Sequence, residues 1–244
     1  MDFVKLAFNV LGAVPLLATA AFARKTEISM ATATPGGGFP LFGDAAAVVI
    51  NATDPTLAVT THNTKGSEEN IGLLETGKLD IGLVAGVPAY EAFAGIGRPR
   101  TNIKIIAAIY SSPGMFAVRG DSPARTVRDL VGKPVAWGVP SSGLTLQGQY
   151  IMDGLGLDRD KDFTARFLDK AGDGAGLVLG GEVAALWGAG LGWPNFTKVM
   201  QAGGRFIGFT PEEVAKVGAK HPFLKPMTLP AGAYEGQAEP ITTL

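Results

Sequence analysis

Short apolar runs alternate along the chain with stretches in which apolar positions recur at helical spacing. The runs typical of strands are EISMATA (27–33), LAVTTH (57–62), DIGLV (80–84), IKIIAAIY (103–110), PVAWGV (134–139), FTARFL (163–168), VAALW (183–187) and RFIGF (205–209). The stretches typical of helices are 41–52, 67–77, 143–156, 194–203 and 211–220. This order predicts an α/β fold with mixed sheets flanked by helices.

Proline and glycine interrupt the pattern between Tyr110 and Leu130, near the middle of the chain. A chain of 244 residues is long enough for two lobes. The interruption therefore predicts a boundary between two α/β lobes. One α+β domain without two lobes is the alternative that the pattern leaves open.

The first 23 residues have the layout of a secretory signal peptide. Lys5 precedes an apolar run over 6–18, and Ala21-Phe22-Ala23 gives the small-residue cleavage pattern. A run of about 13 apolar residues is too short to cross the hydrocarbon core as a helix. We therefore expect cleavage after Ala23, a periplasmic location, and no direct insertion into the membrane after the signal is removed.

Composition narrows the classes of partner. The formal net charge is −1 and only 18% of the residues are charged, with no basic run. The chain thus lacks the electrostatic signature of proteins that bind nucleic acid or anionic membrane surfaces. It contains no cysteine, which excludes disulfides and thiolate metal sites.

Three loops, each placed after a strand and before a helix, are candidates for binding an anion. They are PGGGF (35–39), NTKGSEEN (63–70) and GVPSSGLT (138–145). Glycines and helix N-termini present backbone N–H groups and a positive dipole end to a carboxylate or a phosphate. The first loop lacks the lysine and hydroxyl of a P-loop and the glycine pattern of a dinucleotide site, so nucleotide binding is not favoured. A plain glycine turn, and a Ser67 that only caps its helix, remain the simpler alternatives.

Residues suited to catalysis are scarce. His62 and His221 have no partner nearby in the sequence, and the glutamate pairs at 68–69 and 212–213 fit helix N-termini better than acid–base chemistry. We therefore predict a protein that is not an enzyme, with no catalytic residue, no metal site and no cofactor. Trp193, between a glycine and a proline, is a candidate wall of a ligand cleft, with core packing as the alternative.

Five blocks resemble the TAXI family, the solute-binding proteins of TRAP transporters. They are MATATPGGGFPLFG, TKGSEENIGLLETGKLDIGLV, KPVAWGVPSSGLT, GGEVAALWGAGLGWPNFTKV and MTLPAGAYEGQAEPITT. The GSxEN block with LLETGKLDIG and the final PAGxYxGQ block are the most specific of them. The resemblance covers most of the chain after residue 23.

The resemblance implies a type 2 periplasmic-binding-protein fold, with each lobe a mixed sheet flanked by helices. It implies lobe 1 over 24–115, lobe 2 over 116–228, and a return crossover to lobe 1 over 229–244. Since the family continues beyond that point, the chain resembles a C-terminally truncated copy. The ligand-binding residues expected on this pattern and from the loops are Gly36, Gly37, Gly38, Phe39, Ser67, Val84, Ala85, Ser141, Ser142, Gly143, Thr145 and Trp193.

The function implied is that of an extracytoplasmic solute-binding subunit. It would capture a small organic acid, such as glutamate or 2-oxoglutarate, between its lobes and deliver it to a TRAP permease. Pro35 and Phe39 stand where the family usually has a hydroxyl residue and a tyrosine, so a phenolic hydrogen bond is expected to be missing. A soluble periplasmic sensor and an enzyme on the same bilobal fold are the alternatives.

Overall fold

The computed structural model describes residues 24–244, which form a three-stranded parallel sheet, a five-stranded mixed sheet and a two-stranded antiparallel sheet, with helices around the larger two. The first lobe comprises β1 (Thr26–Ala31), α1 (Gly38–Thr53), β2 (Leu57–His62), α2 (Ser67–Glu75), β3 (Ile81–Gly82) and α3 (Gly86–Ala94). Its strands run parallel in the order β2-β1-β3. Because each strand leads directly into a helix, the N-termini of α1, α2 and α3 lie at one edge of this sheet.

The second lobe is larger. It comprises β4 (Gly114–Val118), β5 (Pro134–Ala136), α4 (Gly143–Leu155), β6 (Thr164–Arg166), α5 (Gly174–Leu179), β7 (Ala185–Ala189), α6 (Pro194–Gln201), β8 (Arg205–Ile207), α7 (Pro211–Lys220), β9 (Met227–Leu229) and β10 (Ile241–Thr243). Its five-stranded sheet has the order β6-β5-β7-β4-β8. β5 and β7 are parallel, so α4 and α6, which follow them, also begin at one edge.

The second lobe has a core on both faces of its sheet. On one face Phe116, Trp137 and Trp187 pack together, with ring centroids 5.0 to 6.1 Å apart. On the other, Leu186 and Phe196 lie in a second buried cluster. The corresponding cluster of the first lobe is much smaller, which makes the second lobe the main source of hydrophobic stabilisation.

The expectation of a strand over 103–110 was wrong, and the segment expected to hold the boundary contains a strand that the sequence pattern did not indicate. The run 103–110 forms no strand, and Ile105 and Ile106 are 70% and 81% exposed. A segment with high β propensity forms a strand only when a neighbouring strand pairs with it, and no strand within residues 24–244 pairs with this run. The proline- and glycine-rich segment 110–130 is also more than a boundary, because it contains β4, a fully buried central strand.

The C-terminal residues pack on the second lobe. β9 and β10 pair antiparallel, the Phe209 N–H donates to the Thr242 carbonyl (2.9 Å), and Gly114 N–H donates to the Leu244 carbonyl (2.9 Å). The lobe limits and the crossover over 229–244 stay predictions, and the first two residues of β4, 114 and 115, fall on the first-lobe side of the expected limit. The expected signal peptide, 1–23, lies outside the described residues.

Candidate functional site

The N-terminal ends of five helices surround one cavity between the lobes. The cavity has a volume of about 420 Å³, and the first residues or N-caps of α1, α2, α3, α4 and α6 line it. The first turn of a helix leaves backbone N–H groups without intrahelical acceptors and carries a partial positive charge. The cavity is therefore surrounded by donors and positive dipole ends.

The three consecutive glycines have different roles. Gly36 has a φ of 81°, in the left-handed region, and a Cβ on it would lie 2.5 Å from the Cα of Gly172 in the second lobe. Gly37 is the N-cap of α1 with ordinary extended dihedrals, and Gly38 is its first residue. Only glycine permits both the turn at 36 and this close approach of the two backbones.

The alternative in which Ser67 only caps α2 is wrong, because the N-cap is Gly66, with a φ of 123°. Ser67 is the first residue of the helix and its hydroxyl oxygen accepts a hydrogen bond from the Ala85 N–H (3.0 Å). This side chain is 1% exposed and lines the cavity. Within residues 24–244 its hydroxyl proton has no acceptor, so it remains available as a donor.

Asn70, which the sequence analysis did not single out, fixes the three first-lobe loops. Its amide nitrogen donates to the carbonyls of Thr32 and Leu83, both at 2.7 Å, and its amide oxygen accepts from the Thr64 hydroxyl at 2.6 Å. It is fully buried. The GSxEN spacing was the available signal, since it places this amide one helical turn after the loop.

Replacing Asn70 with alanine is expected to lower the free energy of unfolding by about 2–3 kcal/mol, because buried carbonyls lose their donor. Urea unfolding of the variant measures the loss. Asn102→Ala is the control, since Asn102 is exposed and makes no side-chain hydrogen bond within the described part of the chain. Equal unfolding midpoints for the two variants would contradict the role given to Asn70.

In the second lobe, residues 141–145 divide into contacting and supporting residues. Ser142 caps α4 by accepting from the Leu144 N–H (3.2 Å) and lines the cavity with Gly143. Ser141 instead donates to the Lys65 carbonyl across the cleft (3.1 Å). The buried Thr145 hydroxyl donates within its own lobe, where the carbonyl oxygens of Val139 and Trp137 lie at 2.7 and 2.9 Å. Thr145 therefore supports the loop from behind.

Further hydrogen bonds join the lobes around the cavity. The Ala171 N–H donates to the Thr34 hydroxyl (3.0 Å), and Trp193 Nε1 donates to the Gly36 carbonyl (3.0 Å). Trp193 is the N-cap of α6, as expected for a position outside a strand, and is 5% exposed. The lobes thus meet on both sides of the cavity.

The remaining wall is aromatic. Tyr110 contacts Phe39 and Phe42 with ring centroids 6.4 and 5.4 Å apart. Its hydroxyl oxygen lies 3.6 Å from the position that a Cβ would take on Gly38. Burial raises the pKa of Tyr110 to about 12, so the phenol stays protonated near neutral pH and acts as a donor. The chain thus supplies a phenol beside Phe39 from a distant segment.

A model of the NMT1-like family matches residues 30–244. The chain belongs to this family. This match spans both lobes and the whole cavity. The narrower TAXI assignment stays a prediction.

Solved structures of two-lobed binding proteins share the fold of this NMT1-like chain. The alkanesulfonate-binding protein SsuA from Xanthomonas axonopodis pv. citri, bound to MOPS, is 17% identical with a TM-score of 0.50, over 76% of this chain and 61% of its own. The substrate-binding protein of an amino acid ABC transporter is 15% identical with a TM-score of 0.53, over 77% and 80%. An ancestral arginine-binding protein bound to arginine is 15% identical with a TM-score of 0.52, over 89% and 84%.

These likenesses confirm the predicted α/β, two-lobed fold. The chain spans about three fifths of the length of the sulfonate-binding proteins it matches. Within residues 24–244, no helix is both long and apolar enough to cross a bilayer, and no group of three or more potential metal-ligating side chains occurs.

The structure brings most of the expected binding residues of this NMT1-like protein to one place. Those that line the cavity are Gly37, Gly38, Phe39, Ser67, Ala85, Ser142, Gly143 and Trp193. Gly36, Ser141 and Thr145 lie just behind its wall, where they join or support the loops, and Val84 follows β3 without lining it. Their role in binding stays a prediction. His62 ends β2, and His221 Nε2 lies 2.6 Å from Asp153, away from the cavity.

Proposed function

We propose that this chain is an extracytoplasmic solute-binding subunit that captures a small organic acid between its lobes. The observation that carries the proposal is the convergence of five helix N-termini on one cavity. Such ends favour an anion through both their free N–H groups and their dipoles. The resemblance to TAXI proteins, whose ligands include glutamate and 2-oxoglutarate, and the signal-like 1–23 segment support capture outside the cytoplasm.

The carboxylate is proposed to lie against Gly37 and Gly38 from one lobe and Ser142 and Gly143 from the other, with Ser67 donating its hydroxyl. Ser67 is nearly inaccessible and its proton has no acceptor among residues 24–244, so a ligand oxygen would satisfy it. Lys65 lines the same cavity and adds a positive charge. A charge-assisted hydrogen bond to a carboxylate is stronger than one between neutral groups.

Binding without chemistry is favoured over catalysis. Among the described residues that line the cavity there is no histidine, aspartate or glutamate to serve as a general acid or base. The lobes instead share hydrogen bonds around the cavity, as in hinge closure on a ligand. Delivery to a TRAP permease follows from the resemblance and completes the proposal.

A thermal melting screen of the purified chain tests ligand capture. The panel comprises monocarboxylates, dicarboxylates, alkanesulfonates, amino acids and neutral sugars. An organic anion at a hundred times its dissociation constant is expected to raise the free energy of unfolding by about 2.7 kcal/mol. Stabilisation by neutral sugars alone, or by nothing in the panel, would contradict the proposal.

The transport step needs a separate assay. Membrane vesicles that carry a TRAP permease should take up the solute found in the screen only when the purified chain is added. If uptake did not depend on the added chain, the transport role would be contradicted and a soluble sensor would describe the protein better.

A further inference from the structure

We propose that the cavity selects a singly charged organic anion with an apolar body, in preference to dicarboxylates and amino acids. This inference rests on the proposed function and narrows its ligand class. It comes from the charges and the apolar side chains that line the cavity.

The charge balance of the cavity fits one negative group. Lys65 is the one charged residue among the described residues that line it. A second carboxylate on the ligand would meet apolar side chains and find no second cationic residue among those lining residues, and taking an unpaired charge out of water is unfavourable. A ligand ammonium would lack an acidic acceptor for the same reason, so the α-amino group of glutamate has no counterpart here.

The rest of the cavity is apolar. The first two turns of α1 contribute Phe39, Leu41 and Phe42, and Tyr110 and Leu191 complete this side. Leu41, Tyr110 and Leu191 are 60%, 41% and 56% exposed. An apolar ligand body that covered these side chains would remove their surface from water, which is the main source of affinity in most small-molecule sites.

The two parts of the cavity are contiguous along α1. Gly38 presents its N–H group at the start of the helix, whereas the Gly37 N–H donates to the Thr34 carbonyl (3.2 Å), and Phe42 lies one turn after Gly38. An anionic head at the helix N-terminus therefore directs the body of the ligand along Phe39 and Phe42 toward Tyr110. A volume of about 420 Å³ is within the range of sites for small organic molecules.

Three six-carbon acids that differ only at the far end test this selectivity. Hexanoate ends in a methyl group, adipate in a second carboxylate and 6-aminohexanoate in an ammonium. Calorimetry on the full chain should show hexanoate binding at least about tenfold more tightly than either of the others, given the cost of burying an unpaired charge. Hexanesulfonate, with the same body, tests whether the head must be a carboxylate.

Variants on α1 locate the apolar part. Phe42→Ala should lower the affinity for hexanoate about tenfold, because apolar contact is lost, and leave the affinity for acetate unchanged. Val48→Ala is the matched control, since Val48 lies on the same helix, is 69% exposed and does not line the cavity. Leu191→Ala, at an exposed loop position, repeats the test should Phe42→Ala fail to fold.

The outcomes separate the two proposals. Adipate, 6-aminohexanoate, glutamate or 2-oxoglutarate binding as tightly as hexanoate would overturn the selectivity and leave the solute-binding function standing. If Phe42→Ala lowered the affinities for acetate and hexanoate by the same factor, the proposed position of the apolar ligand body along α1 would be overturned. If no organic anion binds at all, both proposals fail.

Discussion

Replacing Gly37 with aspartate is expected to remove anion binding while the chain stays folded. The N-cap dihedrals at Gly37, φ −85° and ψ 166°, suit any residue, and a Cβ there would meet its nearest atom, the Thr34 carbonyl oxygen, at 3.2 Å. Aspartate is a favoured N-cap, so α1 should be unharmed. Its carboxylate, however, adds a like charge where the ligand must bind.

The expected loss of affinity is large. Two like charges about 5 Å apart at an effective dielectric constant of about 20 repel by roughly 3 kcal/mol, which is more than a hundredfold in the dissociation constant. Calorimetry with the anion found in the melting screen measures it. Gly37→Asn has the same size and capping ability without the charge, and should lose less than about tenfold. Equal affinities for the two variants would place the anion elsewhere.

Replacing Gly143 with alanine is expected to block closure of the lobes. Gly143 is the first residue of α4, where alanine is the better helix former by about 1 kcal/mol. Its Cβ would nevertheless lie 2.5 Å from Ala85 Cβ and 2.9 Å from the Ser67 hydroxyl oxygen, both in the other lobe. The second lobe should therefore fold normally, and the clash arises only when the lobes meet.

Overpacking of this kind costs about 1–3 kcal/mol, so ligand affinity should fall by about 5- to 150-fold. Small-angle scattering of the ligand-saturated variant should show a larger radius of gyration than that of the unsubstituted chain. Gly218→Ala is the matched control, because Gly218 lies within α7 and a Cβ there meets nothing within 4 Å. A Gly143→Ala chain with unchanged affinity would show that closure does not require this contact.

The sequence predicted the elements whose signals are local. α7 begins and ends where the PEEVAKVGAK pattern places it, with Thr210 and Glu213 forming a capping box at its start. β2 likewise covers LAVTTH. Such elements carry their periodicity and their end signals within a dozen residues, which makes them readable without knowledge of the fold.

Elements and contacts that depend on distant partners were not predictable. β4 is a continuous apolar run between proline and glycine, and only the strands β7 and β8 on either side make it central. The run 103–110 has the composition of a strand without a strand to pair with. Local patterns do not specify such pairings, because they arise between segments far apart in the chain.

The candidate site was predictable as separate loops and not as an assembly. Each glycine- or serine-rich loop indicated a helix N-terminus, but Tyr110 next to Phe39 arises from packing across 71 positions of sequence. Asn70 was missed because a buried amide and a surface amide look alike in sequence. In both cases the contact, and not the residue type, determines the role.

Trp193 gives the chain a built-in optical reporter. Of the three tryptophans, Trp137 and Trp187 are fully buried within the second lobe, whereas Trp193 donates its indole N–H to the first lobe. Separation of the lobes breaks that bond and brings water to one indole while leaving the other two in place. Quenching by acrylamide and a shift of the emission maximum to longer wavelength should therefore follow opening of the cleft in real time, without any attached dye.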